Sequence, residues 1–110
     1  MSFAIKKEGT VCVVDVEGQL IVGNRQELKQ KVLDEIERGE RTFLIDFSQT
    51  GYIDSSGLGV LVSLSKKIRE SGGHLRLSSL NEDLRTLFEL TKLDTLFQIA
   101  ATRDAGLKSL

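Results

Sequence analysis

Hydrophobic and polar residues follow two different periods along this chain, and the changes of period divide it into strands and helices. The segments Ala4 to Lys7 and Thr10 to Glu17 are short, and the second is rich in valine, which indicates β-strands. Only Glu8 and Gly9 separate them, so we predict a tight turn that joins them as an N-terminal hairpin. A loop from Gly18 to Gly23, with glycine at both ends, is predicted after this hairpin.

The first helix is predicted by a capping pattern and an apolar stripe. Asn24 is a favoured N-cap residue, and Glu27, three positions later, completes a capping-box pattern. Apolar residues then recur three or four positions apart. They should form the buried face of the helix: Leu28, Val32, Leu33 and Ile36. Gly39 readily adopts the left-handed conformation that ends a helix, so we place the end of this helix there.

A strand and a second helix lie on either side of a short polar segment. Thr42 to Phe47 is an almost continuous apolar run, which is typical of a central strand covered on both faces. After Asp54 the apolar spacing becomes helical up to about Ser71, and Gly72-Gly73 ends the helix. The positions that define this spacing are Leu58, Leu61, Val62, Leu64 and Ile68.

The last third of the chain repeats the alternation. His74 to Ser79 and Leu96 to Ala100 have the pattern of strands. Between them, Asn81 is predicted to cap a third helix. Its buried face should consist of Leu84, Leu87 and Phe88. Thr102 to Leu110 has a weaker pattern and is predicted as a short terminal helix.

This order of elements predicts an α/β fold for the whole chain, residues 1–110, as one domain. Strands that alternate with helices after an opening hairpin imply a mixed, partly parallel sheet with about four helices. Ligands and partners of such sheets usually meet the loops at the carboxyl ends of the strands. The segment that begins at Asp54 is one of these loops.

Composition and charge exclude several classes of protein. Fifteen Lys and Arg residues against sixteen Asp and Glu residues give a net charge of −1, and aromatic residues are only 5%. The chain therefore lacks the basic surface and the stacking side chains that nucleic acids require. No apolar run approaches the length of a membrane span, and no signal-peptide pattern is present. We expect a cytoplasmic protein whose one cysteine, Cys12, is a buried core residue.

The most specific motif is the run Asp54-Ser55-Ser56-Gly57-Leu58-Gly59, at the start of the second helix. Free backbone N–H groups and the positive end of the helix dipole meet at such a place. A hydroxyl there can cap the helix or carry a phosphate. The two roles are compatible, since Asp54 or Ser55 can cap while Ser56 accepts a phosphate.

Together with the strand before it, this motif resembles the STAS domain of bacterial anti-sigma factor antagonists. The likeness is carried by Leu44-Ile45-Asp46-Phe47-Ser48 and by Tyr52-Ile53-Asp54-Ser55-Ser56-Gly57-Leu58-Gly59-Val60-Leu61. The glycine pair before the strand at Gly72 to Leu77 extends it over nearly the whole chain.

The resemblance implies a regulatory cycle. An anti-sigma factor that is itself a serine kinase would phosphorylate Ser56, and a PP2C-type phosphatase would remove the phosphate. The unphosphorylated chain, a monomer or weak dimer when free, would bind the kinase and release a sigma factor. The implied partner-binding surface consists of Asp54, Ser55, Ser56, Gly57, Leu58 and Gly59, together with Gln19, Leu20 and Asn24.

One loop departs from the family pattern. Many members carry an acidic Gly-Glu-Leu-Asp sequence after the second strand, whereas this chain has Gly18-Gln19-Leu20-Ile21. This departure bears on the identity of the partner and on its contacts at this loop.

Other functions have weaker support in the sequence. The serines do not form a Gly-x-Ser-x-Gly motif, and His74 is the only histidine, so we expect no catalysis, no metal and no cofactor. Asp46 and Asp54 are also the residues from which a carboxylate pair or a metal site would be built, but Asp46 more simply ends its strand or bonds nearby backbone N–H groups. Two alternative functions remain for a STAS domain: a subunit of a lipid-transport ABC system, or a sensor that binds a small ligand.

Overall fold

The computed structural model describes residues 3–110 and opens with the predicted hairpin. Strands β1 (Phe3–Glu8) and β2 (Val11–Val16) pair antiparallel, and Glu8 lies opposite Val11. The turn residues are therefore Gly9 and Thr10, one position later than predicted. Gly9 has a φ of +64°, a conformation that glycine adopts without steric cost.

The hairpin forms one side of a five-stranded mixed sheet. The remaining strands are β4 (Thr42–Asp46), β6 (His74–Ser78) and β7 (Ile99–Ala100), in the spatial order β1-β2-β4-β6-β7. All pairs after the hairpin are parallel, as predicted. β4 is the central strand, and its apolar side chains are fully buried on both faces of the sheet.

Four α-helices surround the sheet, as expected: α1 (Arg25–Glu37), α2 (Ser55–Glu70), α3 (Glu82–Leu90) and α4 (Arg103–Lys108). The main core contains apolar side chains of α1, α2 and α3. A smaller cluster joins Leu107 and Leu110 to Val11, Val13 and Leu44. Because successive strand residues point to opposite faces, α1 to α3 cover one face and α4 the other. Within residues 3–110, no helix is long and apolar enough to cross a membrane.

Burial agrees with most of the core positions expected from the sequence. Cys12 is inaccessible to solvent, and its burial raises the pKa of the thiol to about 11. Leu28 and Val32 of α1 are fully buried, whereas Leu33 and Ile36 are only partly buried. The buried face of α1 is therefore narrower than the spacing of its apolar residues predicts.

A second, two-stranded sheet was not predicted. Strands β3 (Gly18–Leu20) and β5 (Thr50–Ile53) pair in parallel, where the sequence indicated only a loop from Gly18 to Gly23. A strand of three residues is too short to show an alternating pattern. The strand that leads directly into α2 is consequently β5, rather than the central strand.

Asp46 ends the central strand, as expected, and its carboxylate forms a buried polar cluster. Its side chain is 1% exposed. Oδ1 accepts a hydrogen bond from the Ser48 N–H at 2.9 Å, and Oδ2 accepts from the Ser78 and Ser79 hydroxyls at 2.8 and 2.7 Å. Burial alone would raise the pKa of this carboxyl group, but these hydrogen bonds outweigh burial and lower the pKa to about 2.

Asp46 should make the stability of the protein depend on pH in acid. Its pKa is 3.8 when unperturbed and about 2 in the folded chain, so it stabilises the fold fully above 3.8 and not at all below 2. This difference corresponds to about 2 kcal/mol. We expect the free energy of unfolding, measured in urea at pH 5, 4, 3 and 2, to fall less steeply with decreasing pH in Asp46→Asn than in the unmodified chain. The asparagine has no carboxyl group at this position to titrate. Glu37→Gln, at an exposed position, is the control, and equal pH slopes in both variants would contradict this role.

Candidate functional site

The start of α2 is capped by Asp54. This residue has extended backbone, with φ −90° and ψ 178°, and its Oδ1 accepts a hydrogen bond from the Gly57 N–H at 2.7 Å. Ser55 and Ser56 are therefore the first two residues of α2, and the helix needs neither hydroxyl as its cap. The Ser55 side chain is exposed and that of Ser56 is half-buried. The structure thus leaves two hydroxyls at the head of this helix.

The same carboxylate connects the start of α2 to the loop after β3. Asp54 Oδ2 accepts a hydrogen bond from the Val22 N–H at 3.0 Å, and the Asp54 N–H donates to the Leu20 carbonyl at 3.1 Å. Two segments that lie more than thirty residues apart in sequence are thereby held together as one surface.

Asn24 has a different role from the one predicted. It occupies the N-cap position of α1, but its side chain makes no capping hydrogen bond. Instead its Oδ1 accepts from the Ile21 N–H at 2.9 Å, and its Nδ2 donates to the Gln19 carbonyl at 2.8 Å. The capping box with Glu27 is therefore absent, because the amide of Asn24 closes the loop before the helix.

The two glycines after the serines occupy different environments. A Cβ atom at Gly57 would lie 2.4 Å from the Leu20 carbonyl oxygen and 2.9 Å from Cγ2 of Ile53. Gly57 therefore allows the first turn of α2 to pack directly on β3. A Cβ atom at Gly59 would meet no atom of the described part of the chain within 4 Å, and Gly59 is exposed. Packing within the chain thus gives no reason for glycine at this position.

The residues expected to bind a partner fall into three groups that differ in their exposure to solvent. The exposed ones are Gln19, Ser55 and Gly59, and the half-buried ones are Asn24, Asp54 and Ser56. Leu20, Gly57 and Leu58 are buried, with 0% exposure at Leu20 and 8% at Leu58. The expectation that these three lie on the surface needs correction: they support it from beneath, because Leu20 belongs to β3 and Leu58 points into the core.

The sequence pattern did not identify the exposed apolar side chains near the junction, by which we mean the place where the start of α2 meets the loop after β3. Val22 is 63% exposed and Tyr52 57% exposed, and each lies within two residues of a hydrogen-bonded junction residue. Val62, which the helical spacing placed on the buried face, is 37% exposed. It follows Gly59 by three positions and so shares the outer face of α2. We call the following set the junction face: Val22, Tyr52, Ser55, Ser56, Gly59 and Val62.

Removal of the Asp54 cap should loosen this region. Asp54→Ala should lower the free energy of unfolding by about 1–2 kcal/mol, because a capping bond is lost and the Val22 N–H loses its acceptor. Asn81→Ala is the matched control, since Asn81 caps α3 through a 2.8 Å bond from the Leu84 N–H. Both variants should lose stability in urea, but only Asp54→Ala should speed amide hydrogen exchange at Val22 and Gly57. Unchanged exchange at both amides would contradict the connecting role of Asp54.

Comparisons with known proteins identify the family. The STAS domain model matches residues 2–106. The anti-sigma-B factor antagonist of Bacillus subtilis is 31% identical, over 94% of this chain and 94% of that protein. A Thermotoga maritima crystal structure, named as a candidate anti-sigma factor antagonist, has a TM-score of 0.91 at 30% identity, covering 97% of this chain and 92% of that one. SpoIIAA of Bacillus in its phosphorylated form shares the fold, with a TM-score of 0.76 at 19% identity and 97% of each chain covered. This chain therefore belongs to the STAS domain family.

Proposed function

We propose that this chain is an anti-sigma factor antagonist that is switched by phosphorylation of Ser56. The unphosphorylated form binds an anti-sigma factor serine kinase in the cytoplasm and so releases a sigma factor. A PP2C-type phosphatase reverses the modification, and the chain itself catalyses nothing. The observation that carries this proposal is that Asp54 caps α2, which leaves the serine hydroxyls available on the junction face.

The relatives support the proposal in two ways. The Bacillus subtilis protein that is 31% identical is named an anti-sigma-B factor antagonist. SpoIIAA, described as an anti-sigma factor antagonist, has been solved in both an unphosphorylated and a phosphorylated form. A protein of this fold therefore accommodates a phosphate. This supports a phosphorylated serine in the motif that begins at Asp54, and we propose Ser56 as the acceptor.

The head of α2 can hold a phosphate within this chain. An α-helix leaves its first N–H groups without partners inside the helix. Here the Gly57 N–H donates to the Asp54 side chain, and the Leu58 N–H donates to the Asp54 carbonyl at 3.0 Å. The N–H groups of Ser55 and Ser56 are the ones that remain to donate to phosphate oxygens. The Asp54 carboxylate repels the phosphate and so offsets part of this attraction. Because the two effects oppose each other, we expect phosphorylation to cause little refolding.

The modification replaces a neutral hydroxyl with a bulky anion. Ser56 Oγ attacks the γ-phosphorus of ATP in the kinase, the new O–P bond forms, and the bond to the bridging oxygen breaks to release ADP. The hydroxyl proton passes to a base of the kinase. The product carries about −1.5 to −2 charges. Binding to the kinase then fails because this group would be desolvated where a small hydroxyl had packed.

A co-purification followed by phosphorylation tests the proposal. The tagged chain should retain an ATP-binding serine kinase from its own cells, and added ATP should yield one phosphate per chain. Ser56→Ala should bind the kinase yet take up no phosphate, whereas the matched variant Ser55→Ala should still take it up, as mass spectrometry would show. Phosphate on the Ser56→Ala protein would refute the acceptor assignment. Retention of an ABC transporter ATPase instead of a kinase would refute the function.

A further inference from the structure

A groove of about 370 Å³ opens between β5 and α3, directly beside the junction face. Tyr52 and Ser55 line it on one side, and Leu84 and Leu87 of α3 line it on the other. Leu84 is buried, Leu87 is partly buried and Tyr52 is largely exposed. The groove is therefore mostly apolar and opens to solvent.

Two carboxylates also line the groove, and they differ in their bonding. The Asp54 oxygens accept hydrogen bonds from the N–H groups of Gly57 and Val22. Asp83 is exposed, and among residues 3–110 no Lys, Arg or His nitrogen lies within 4.0 Å of its carboxylate. The groove thus combines apolar walls with one carboxylate that lacks a cationic partner among the residues that the structure describes.

This combination fits an apolar side chain that has a cation beside it. The volume lies near the lower end of the range for small-molecule sites, and the groove is open rather than enclosed. Tyr52 and Ser55 belong to both the groove and the junction face, so a protein that covers the junction face also covers the groove. A protein partner is therefore the occupant that the geometry favours.

We propose that the kinase inserts one apolar side chain, flanked by Lys or Arg, between β5 and α3, with the cation facing Asp83. This inference rests on the proposed function and adds to it a docking contact that extends from the phosphorylation motif to α3. The contact lies to one side of Ser56 and does not involve the reacting oxygen. It should therefore stabilise the bound state and the transition state equally, and its loss should raise KM without changing kcat.

The test is steady-state phosphorylation of purified variants by the kinase that co-purifies with the unmodified chain. Asp83→Lys should raise KM at least tenfold, with kcat unchanged. Glu82→Lys is the matched control, because both residues are exposed, both lie in the first turn of α3, and only Asp83 lines the groove. Tyr52→Ala should likewise raise KM about tenfold, whereas Leu90→Ala, at a position 77% exposed and outside the groove, should change it less than twofold.

The outcomes separate this inference from the proposed function. If the unmodified chain takes up no phosphate, the proposed function fails. If it takes up phosphate but Asp83→Lys and Glu82→Lys have equal KM values, only the groove contact is refuted. A fall in kcat rather than a rise in KM would also refute it. Asp83→Asn, which keeps the shape of the side chain, should give a smaller rise in KM and guards against a folding defect in Asp83→Lys. Native mass spectrometry would also refute the contact if it showed a small molecule bound to the unmodified chain and absent from Tyr52→Ala, because the groove would then hold a ligand instead of a side chain of the kinase.

Discussion

Ser56→Asp is expected to weaken binding of the chain to its kinase at least tenfold while the melting temperature hardly changes. The second position of α2 tolerates a carboxylate, because the positive end of the helix dipole offsets its repulsion from Asp54. The interface does not tolerate it, since a charge that packs against the partner without a counter-charge must lose its hydration. A tenfold loss corresponds to about 1.4 kcal/mol. Calorimetry of the complex and thermal unfolding of the free chain measure the two quantities separately.

Two controls separate charge from size in this experiment. Ser56→Asn has the shape of the aspartate variant without its charge, so it should lose less affinity. Thr86→Asp adds the same charge at an exposed position of α3 that does not line the groove, and it should bind normally. Binding of Ser56→Asp as tight as that of the unmodified chain would rule out the switch. Equal losses for the aspartate and asparagine variants would assign the switch to size alone.

The sequence predicted those elements that have a long repeating pattern or a dense run of apolar residues. The valine-rich β2 and the apolar β4 are dense runs of β-forming residues, and the sixteen-residue α2 contains several helical turns; all three were placed correctly. The small sheet of β3 and β5 was missed because its strands have three and four residues. Their pairing depends on contacts between distant segments, and such contacts leave no local pattern.

The candidate site could be located from the sequence, but its side-chain hydrogen bonds and its groove could not be predicted. The motif from Asp54 to Gly59 indicated where the helix begins and which groups meet there. It did not show that both oxygens of Asp54 are used, or that Asn24 folds its amide back onto the loop. The groove was equally hidden, because Tyr52 and Leu87 become neighbours only when α3 packs against β5. Side-chain hydrogen bonds and exposure of this kind are decided by tertiary packing.

Gly57→Ala and Gly59→Ala should have opposite effects on stability, although the two positions are only two residues apart. At Gly57 the added methyl group would lie 2.4 Å from a backbone oxygen of β3, and backbone cannot rotate away as a side chain can. The first turn of α2 must then move off β3, which strains the bond between the Asp54 N–H and the Leu20 carbonyl. We expect a net loss of about 2 kcal/mol in the free energy of unfolding, even after the better helix propensity of alanine is included.

At Gly59 the methyl group meets no atom of residues 3–110 within 4 Å, so only the helix propensity changes. Gly59→Ala should therefore gain up to about 1 kcal/mol, and the two melting temperatures should differ by roughly 10 °C or more. Thermal and urea unfolding of both variants measure this difference in stability directly.

Because Gly59 lies on the junction face, the stabilised Gly59→Ala variant should nevertheless bind the kinase about tenfold more weakly. Similar stabilities for the two variants would mean that α2 does not pack on β3 as described. Normal kinase binding by Gly59→Ala would place the interface elsewhere on the chain.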